Sequence, residues 1–249
     1  MARRIERNSP FPMKKTLSLL LACTLLACSP QDMQNILNSV PSSTTLSNED
    51  VIAGLKEALQ KGTERSVEKA GITDGFWKNE LIRIAFPPEA IKVKNTLMDL
   101  GIKKPVEDFE MTLNRAAEEA AKEAVPVFVD AITSMTIQDG FNLLRGGENA
   151  ATTYLREKTT ATLTAKFRPV VENATSKVAL TNQWSTVASA YNTATLLTGG
   201  KAVDPDLNAY VTQQAINGLF TLIAAEEKKI REDPLARTTD LLRRVFAQQ

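Results

Sequence analysis

The chain contains no histidine, and its two cysteines, Cys23 and Cys28, both lie close to the amino terminus. From residue 29 onward there is neither thiol nor imidazole. That stretch can build no disulfide, no Cys or His metal ligand, no thiol nucleophile and no Ser-His-Asp triad. Histidine is also the side chain whose unperturbed pKa lies nearest neutrality. Acid–base chemistry would have to use a carboxylate, lysine or tyrosine with a shifted pKa, which lowers the expectation of an enzyme. An excess of charge is lacking too, since 30 basic residues face 29 acidic ones. Residues 1–27 hold Arg3, Arg4, Arg7, Lys14 and Lys15 against Glu6, so the remainder carries 25 bases and 28 acids, a net charge of about −3. Nucleic acid is not an expected partner, because it would require a clear basic excess.

A membrane-spanning run is also missing from the amino-terminal segment. Met13-Lys14-Lys15 leads into Thr16-Leu17-Ser18-Leu19-Leu20-Leu21-Ala22-Cys23-Thr24-Leu25-Leu26-Ala27-Cys28. This apolar core is about a dozen residues long, whereas a spanning helix needs about 20. A positive start, a short apolar core and a small residue before the cut mark a secretory signal peptide. Leu25-Leu26-Ala27-Cys28 resembles the bacterial lipobox, in which the chain is cut before an acylated cysteine. Leu20-Leu21-Ala22-Cys23 fits the same pattern but leaves a shorter apolar core, so Cys28 is the expected lipidation site. Residues 1–12 read as an extension upstream of a start at Met13. Ser29, at the second position of the cut chain, favours the outer membrane by the lipoprotein sorting rule. The expected location is the periplasmic face of that membrane. The expected organisation is a signal peptide over 1–27, a lipidated tether over 28–46 and one helical domain over 47–247.

Residues 29–46 are polar and rich in turn formers, as a flexible tether would be. A helix is predicted from Ser47, with Glu49 and Asp50 in its first turn, an apolar stripe of Val51, Leu55, Leu59 and Val67, and a stop at Gly71. Leu81-Ile82-Arg83-Ile84-Ala85-Phe86, ahead of Pro87-Pro88, is the one strand-like run and reads as an extended connector. A helix over 89–100 should stop at Gly101. From Pro105, Val106, Phe109, Leu113, Ala116, Ala120, Ala124, Val127, Ala131 and Met135 recur at spacings of three and four, with Pro126 predicted to kink or split the helix. A short helix over 136–144 runs into Arg145-Gly146-Gly147. The next carries Ala151, Tyr154, Leu155, Leu163, Phe167, Val170, Val171, Ala174 and Val178, with a bend at Pro169. Leu180, Trp184, Val187 and Tyr191 mark another, followed by a Gly199-Gly200 loop. Asp206 should cap a long helix with Leu207, Val211, Gln214, Leu219, Leu222, Ile223 and Ile230 on its apolar face. Pro234 ends it, and 238–246 add a last turn or two. The fold class is all-α, a single irregular multi-helix bundle.

Two polar constellations could form a site. Arg145-Gly146-Gly147-Glu148-Asn149-Ala150-Ala151-Thr152 places two glycines before a helix start, where free N–H groups can hold a phosphate or carboxylate. Arg145 and Asn149 would assist, with Arg156 a turn further on. The plainer alternative is a glycine stop followed by an Asn cap. Asn114, Arg115, Glu118 and Glu119 share the polar side of the long helix and could meet Asp139 or Arg145 if neighbouring helices fold back. The plainer alternative is a solvated face or, with Asn114-Arg115 beside an alanine seam, a buried polar network. Three other matches are weak. Ser66-Val67-Glu68-Lys69 has the Ser-x-x-Lys spacing but no companion elements. Thr198-Gly199-Gly200-Lys201 lacks the phosphate-loop glycine and hydroxyl. Asp204, Asp206 and Asn208 imitate a calcium loop, but Ala209 and Ala215 stand where it needs glycine and glutamate. No metal or cofactor is expected.

Met111-Thr112-Leu113-Asn114-Arg115-Ala116-Ala117-Glu118, Ala131-Ile132-Thr133-Ser134-Met135-Thr136, Gly147-Glu148-Asn149-Ala150-Ala151-Thr152-Thr153-Tyr154-Leu155 and Asp233-Pro234-Leu235-Ala236-Arg237-Thr238-Thr239 occur in this order. With these segments the chain resembles a family of proteobacterial exported proteins filed as a domain of unknown function, DUF4197. The resemblance spans nearly the whole helical region. It implies an envelope-located helical domain and carries over no catalytic residues.

Three functions are then in play. The first is a non-enzymatic envelope module binding a protein partner or an apolar, lipid-like ligand between its helices. The second is a carboxylate-based hydrolase or transferase acting on an anionic envelope substrate, with Glu118, Asp130 or Asp139 as acid or base and Arg115 or Arg145 holding the anion. The third is a purely structural lipoprotein.

Overall fold

The structure is a computed structural model that describes residues 47–198, 201–232 and Arg243. Helix α1 (Asn48–Gly71) starts where the sequence predicts. The Ser47 hydroxyl accepts the Asp50 N–H at 3.1 Å, and the Asp50 carboxylate accepts the Ser47 N–H in return. This reciprocal cap satisfies two amides that have no partner within the helix. Leu55, Leu59 and Val67 are buried as predicted, but Val51 is only half-buried and Ile52 takes the core position.

Residues 72–87 form no strand. They fold as a series of turns over 72–82, closed by bonds such as Lys78 N–H to Asp74 C=O at 3.1 Å, and only 83–87 run extended; Ile82, Ile84 and Phe86 are buried while Leu81, Arg83 and Ala85 are exposed. A 3-10 turn (Pro88–Ala90) follows, and then helix α2 (Ile91–Asp99). The single helix predicted over 89–100 is divided here. Pro87 and Pro88 lack N–H groups, and the first bond available, Ala90 N–H to Pro87 C=O at 2.9 Å, is of the tighter kind. Gly101 ends α2 with φ of 81°, donating to Met98 while Ile102 donates to Leu97 at 2.9 Å. That left-handed position favours glycine, and the two bonds satisfy carbonyls the helix leaves open.

Pro126 splits the long predicted helix into α3 (Lys103–Ala121) and α4 (Ala124–Thr133). Its missing N–H removes the bond to the Lys122 carbonyl, and the chain tightens through Glu123 N–H to Ala120 C=O at 3.0 Å. Helix α5 (Ile137–Arg145) is capped by Thr136 and Asp139, and α6 (Ala150–Thr175) runs on through Pro169. The helix predicted around Leu180 and Trp184 is two pieces, α7 (Ala179–Asn182) and α8 (Trp184–Thr198). Helix α9 (Leu207–Glu232) is capped by Asp206, whose carboxylate accepts the Ala209 N–H at 2.9 Å. The lipidation site Cys28, the Gly199-Gly200 loop, the stop at Pro234 and most of the turns expected over 238–246 lie outside the described residues.

Helix α9 packs against α6, α1 and α3 and forms the centre of the bundle. Val211, Ala215, Ile216, Leu219, Phe220 and Ile223 bury it on more sides than the predicted stripe, while Gln214 is only half-buried. Ala116, Ala117, Ala120, Ala121 and Ala124 are fully buried, and their small side chains let backbones come close. Phe86, Phe109 and Trp184 form an aromatic cluster with ring centroids 4.8–5.7 Å apart.

Candidate functional site

Glu110, Asn114 and Glu118 stand four residues apart on α3 and therefore share one face. All three are buried, and their side chains meet backbone N–H groups of the 72–87 connector. Asn114 accepts the Ile84 N–H at 2.8 Å and donates to the Ile84 C=O at 2.8 Å and the Glu110 C=O at 2.7 Å. Glu110 accepts the Phe86 N–H at 3.2 Å and pairs with Lys94 at 2.6 Å and Arg83 at 3.2 Å. One oxygen of Glu118 accepts the N–H groups of Phe76 and Trp77 at 3.1 and 3.2 Å, and the other pairs with Arg115 at 2.7 Å. Arg115 also reaches Asp74 at 2.6 Å. Hydrogen bonds from Lys78 and then Arg115 hold the Asp74 carboxyl below the usual range. The Arg83 guanidinium lies 4.0 Å from the Trp77 ring centre.

This arrangement fastens the connector to α3. Each Glu118 oxygen already accepts from an amide or a guanidinium, which leaves it badly placed to take a proton from a substrate. Of the residues expected to converge, Arg115 and Glu118 pair, whereas Asn114, one turn before Glu118, binds Ile84 instead. Asp139 does not join them but caps α5, accepting the Thr136 N–H at 3.0 Å. Asp130 is exposed, Glu119 pairs with Lys122, and Arg145 lies 5.6 Å from the Phe141 ring centre.

The helix start after Gly146-Gly147 does hold an anion, and that anion belongs to the protein. The N–H groups of Ala151 and Thr152 donate to the two oxygens of Glu227 at 3.1 and 2.8 Å, and the Thr152 hydroxyl adds a bond of 2.7 Å. Arg231 pairs with the same carboxylate at 2.8 Å and donates to the Leu143 C=O at 3.0 Å. Glu227 from α9 thus seals the start of α6 and, through Arg231, the end of α5. Neither Arg145 nor the Asn149 side chain takes part, since Asn149 precedes the helix without a side-chain cap bond. Gly146 is extended rather than left-handed, and Gly147 faces open space. Arg156 is committed to Asn217 at 3.0 Å and lies 4.4 Å from the Phe220 ring centre.

Sequence reasoning missed Glu227 and its neighbour Glu226, which is buried against Lys69 and lies 3.9 Å from Arg65. A signal was available, because Leu219, Leu222, Ile223, Glu226, Glu227 and Ile230 place two acids inside an apolar stripe. The weak motifs resolve into local structure. Ser66 donates to Gly62 C=O at 2.7 Å, away from Lys69, which is engaged with Glu226. Lys201 pairs with Glu89 at 3.0 Å. Asp204 and Asp206 accept the N–H groups of Asp206 and Ala209 at 2.8 and 2.9 Å as the cap of α9. Among the described residues, no group of three or more Asp, Glu, Cys or His is placed to hold a metal ion.

An apolar slot of about 30 Å³ lies between α1, α6 and α9, lined by Leu55, Leu59, Leu155, Ile223 and Ile230. It has room for a water-sized molecule but not for an acyl chain. A polar hollow of about 240 Å³ lies at the start of α9, bordered by Glu172, Thr175, Asn182, Trp184, Asp206 and Asn208. Its groups bind one another. Arg168 bridges Glu172 and Asp206 at 2.8 and 2.7 Å, and Thr175 donates to Asn208 at 2.7 Å.

A family model described as a protein of unknown function (DUF4197) matches residues 45–247. The chain belongs to this family. No curated protein and no solved structure matches it. The family segment coincides with the helical bundle, so both buried networks lie within the DUF4197 domain. No helix among the described residues is long and apolar enough to cross a membrane.

Proposed function

We propose that this chain is an exported lipoprotein, acylated on Cys28 and held at the periplasmic face of the outer membrane. In this reading its DUF4197 domain is a non-enzymatic module that engages a protein partner. The anchor rests on the leader, with its Lys14-Lys15 start, short apolar core and Leu25-Leu26-Ala27-Cys28 box. The observation that carries the reading of the domain is the commitment of its buried carboxylates. Glu110, Glu118 and Glu227 each bind backbone N–H groups of a neighbouring segment. They hold the shape of a surface and are poorly placed to turn over a substrate. A protein partner is favoured over a lipid-like ligand because the apolar slot of about 30 Å³ is far below the several hundred that a small-molecule site needs.

Native mass spectrometry of the chain, gently extracted from bacterial membranes, tests both halves. The expected species begins at Cys28, carries the mass of its acyl chains and holds no small molecule. An unacylated chain in the soluble periplasm would overturn the anchor. A stoichiometric co-purifying small molecule would overturn the protein-partner reading in favour of a ligand carrier.

A further inference from the structure

The polar hollow of about 240 Å³ opens where α6 ends, α7 passes into α8 and α9 begins. Helix ends carry partial charge, negative at the end of α6 and positive at the start of α9. Both ends are already occupied. Thr181 donates to the Thr175 and Val178 carbonyls and Asn182 to the Ser176 carbonyl at 2.9 Å, while Asp206 accepts the Ala209 N–H at 2.9 Å. The side-chain charges are engaged with one another as well, since Arg168 bridges Glu172 and Asp206. A phosphate would meet two carboxylates, and an ammonium group would find both of them held by a guanidinium. The hollow therefore selects neither sign of charge.

Apart from the second Glu172 oxygen, the groups left over are neutral. The Asn208 oxygen accepts from Thr175 at 2.7 Å, and its NH2 group makes no bond to the described residues. Asn182 is the reverse, with its NH2 group on Ser176 and its oxygen unpaired among them. The Ser185 hydroxyl has no partner there either. Trp184 completes the wall, buried and fixed by its ring N–H on the Asp204 C=O at 3.0 Å. A ligand suited to these groups is neutral, donates and accepts at several points, and has an apolar face for Trp184. The hydroxyls and C–H face of a sugar ring meet all three conditions. An apolar ligand would leave the amides unpaired, and an extended peptide pairs along a sheet edge or a groove rather than around one hollow. The volume lies below the roughly 300 Å³ at which drug-sized pockets begin, which suits one ring. We propose that this hollow binds a single neutral sugar unit, held by Asn182, Ser185 and Asn208 against Trp184. The proposal goes beyond the protein-partner reading and depends on neither that partner nor the acyl anchor.

The test titrates the purified full chain, labelled with nitrogen-15, with glucose and with N-acetylglucosamine while its amide resonances are followed by NMR. Saturable shifts are expected within residues 172–185 and 204–209, the Asn208 side-chain NH2 among them. Ser185→Ala removes a hydroxyl that the described fold does not use and should weaken binding about fivefold. Asn208→Asp keeps the acceptor for Thr175, removes the NH2 group and should weaken binding about tenfold. Both variants should leave the amide spectrum of the rest of the bundle unchanged, because neither removes a bond of the described fold. A tetramer of N-acetylglucosamine that binds more tightly than the monomer would assign the site to a glycan, and equal affinity to a free sugar; the proposal stands in both cases. No saturable shift with any of these sugars, shifts spread outside the two segments, or unchanged affinity in both variants would overturn it. So would a stronger response at the same residues to inorganic phosphate, ethylamine or trialanine, which would give the hollow to an anion, a cation or a peptide.

Discussion

Asn114 decides whether the connector stays attached to the bundle. It is fully buried, and its one amide group satisfies both the N–H and the C=O of Ile84. Asn114→Leu keeps the volume but strands both backbone groups, at about 1–3 kcal/mol each. Urea denaturation should therefore show a loss of about 2–4 kcal/mol with little change in slope. A loss within about 0.5 kcal/mol would mean that water replaces the amide and that the connector does not depend on it. Glu227 poses the same question at the start of α6. Glu227→Ala removes the anion from two amides, a hydroxyl and Arg231, and breaking a buried pair in this way costs about 3–5 kcal/mol. Hydrogen exchange should quicken first at Ala151 and Thr152, and Glu227→Gln, which keeps one acceptor oxygen, should be milder. The two positions also differ in how far the sequence revealed them. Asn114 and Arg115 could be read as a buried network because polar residues beside an alanine seam have few other uses. Glu227 could not be joined to the Gly146-Gly147 loop, because the contact spans 75 residues and no local pattern encodes it.

At the scale of elements, periodicity carried most of the reading, and the departures have local causes. Val51 and Ile52 are adjacent and both aliphatic, so spacing alone could not choose between them. Their neighbour does, because a Cβ at Gly140 of α5 would lie 2.2 Å from the Ile52 Cδ1 atom. The break between α7 and α8 arises from side chains that compete for the backbone. Thr181 donates to the carbonyls of Thr175 and Val178, and Asn182 donates to Ser176 C=O at 2.9 Å, so these groups terminate a turn that the apolar pattern alone would continue. Gly218 shows why α9 can lie so close to the connector. A Cβ there would stand 2.7 Å from the Phe76 ring and 3.1 Å from Ile82. Gly218→Ala should gain up to about 1 kcal/mol in helix propensity, yet overpacking costs about 1–3 kcal/mol. A net loss of stability is the expected outcome, and a Phe76→Leu background should relieve it. Stabilisation by Gly218→Ala in the otherwise native chain would show that the ring moves freely and that the connector is looser than its hydrogen bonds imply.

At the scale of the whole molecule, the missing histidines return as a statement about pH. Asp74, Asp139 and Asp206 are all held below the ordinary carboxyl range. Lys78 and Arg115 hold Asp74 down, and the Thr136 hydroxyl and N–H do so for Asp139. At Asp206 burial pushes upward but is outweighed by the Ala209 N–H and Arg168. Tyr210 is moved the other way, to about 12, chiefly by burial and then by Glu89 and Glu110. The carboxylates bind protons less readily in the folded chain than in the unfolded one. Their contribution is complete above the unfolded value and is lost as pH falls through the folded one. The tyrosine is complete below its unfolded value near 10 and is lost as pH rises toward about 12. Between these windows no side chain of ordinary near-neutral pKa exists, because the chain has no histidine. The urea midpoint should therefore stay flat across roughly pH 5–9, falling below it as the carboxylates protonate and above it as Tyr210 ionises in the unfolded chain. Tyr210→Phe should flatten the alkaline limb while leaving the acid limb unchanged. A step within the flat window would require a carboxylate or lysine displaced by several units, and that group would become the first candidate for the chemistry that the saturated networks around Glu118 and Glu227 do not offer.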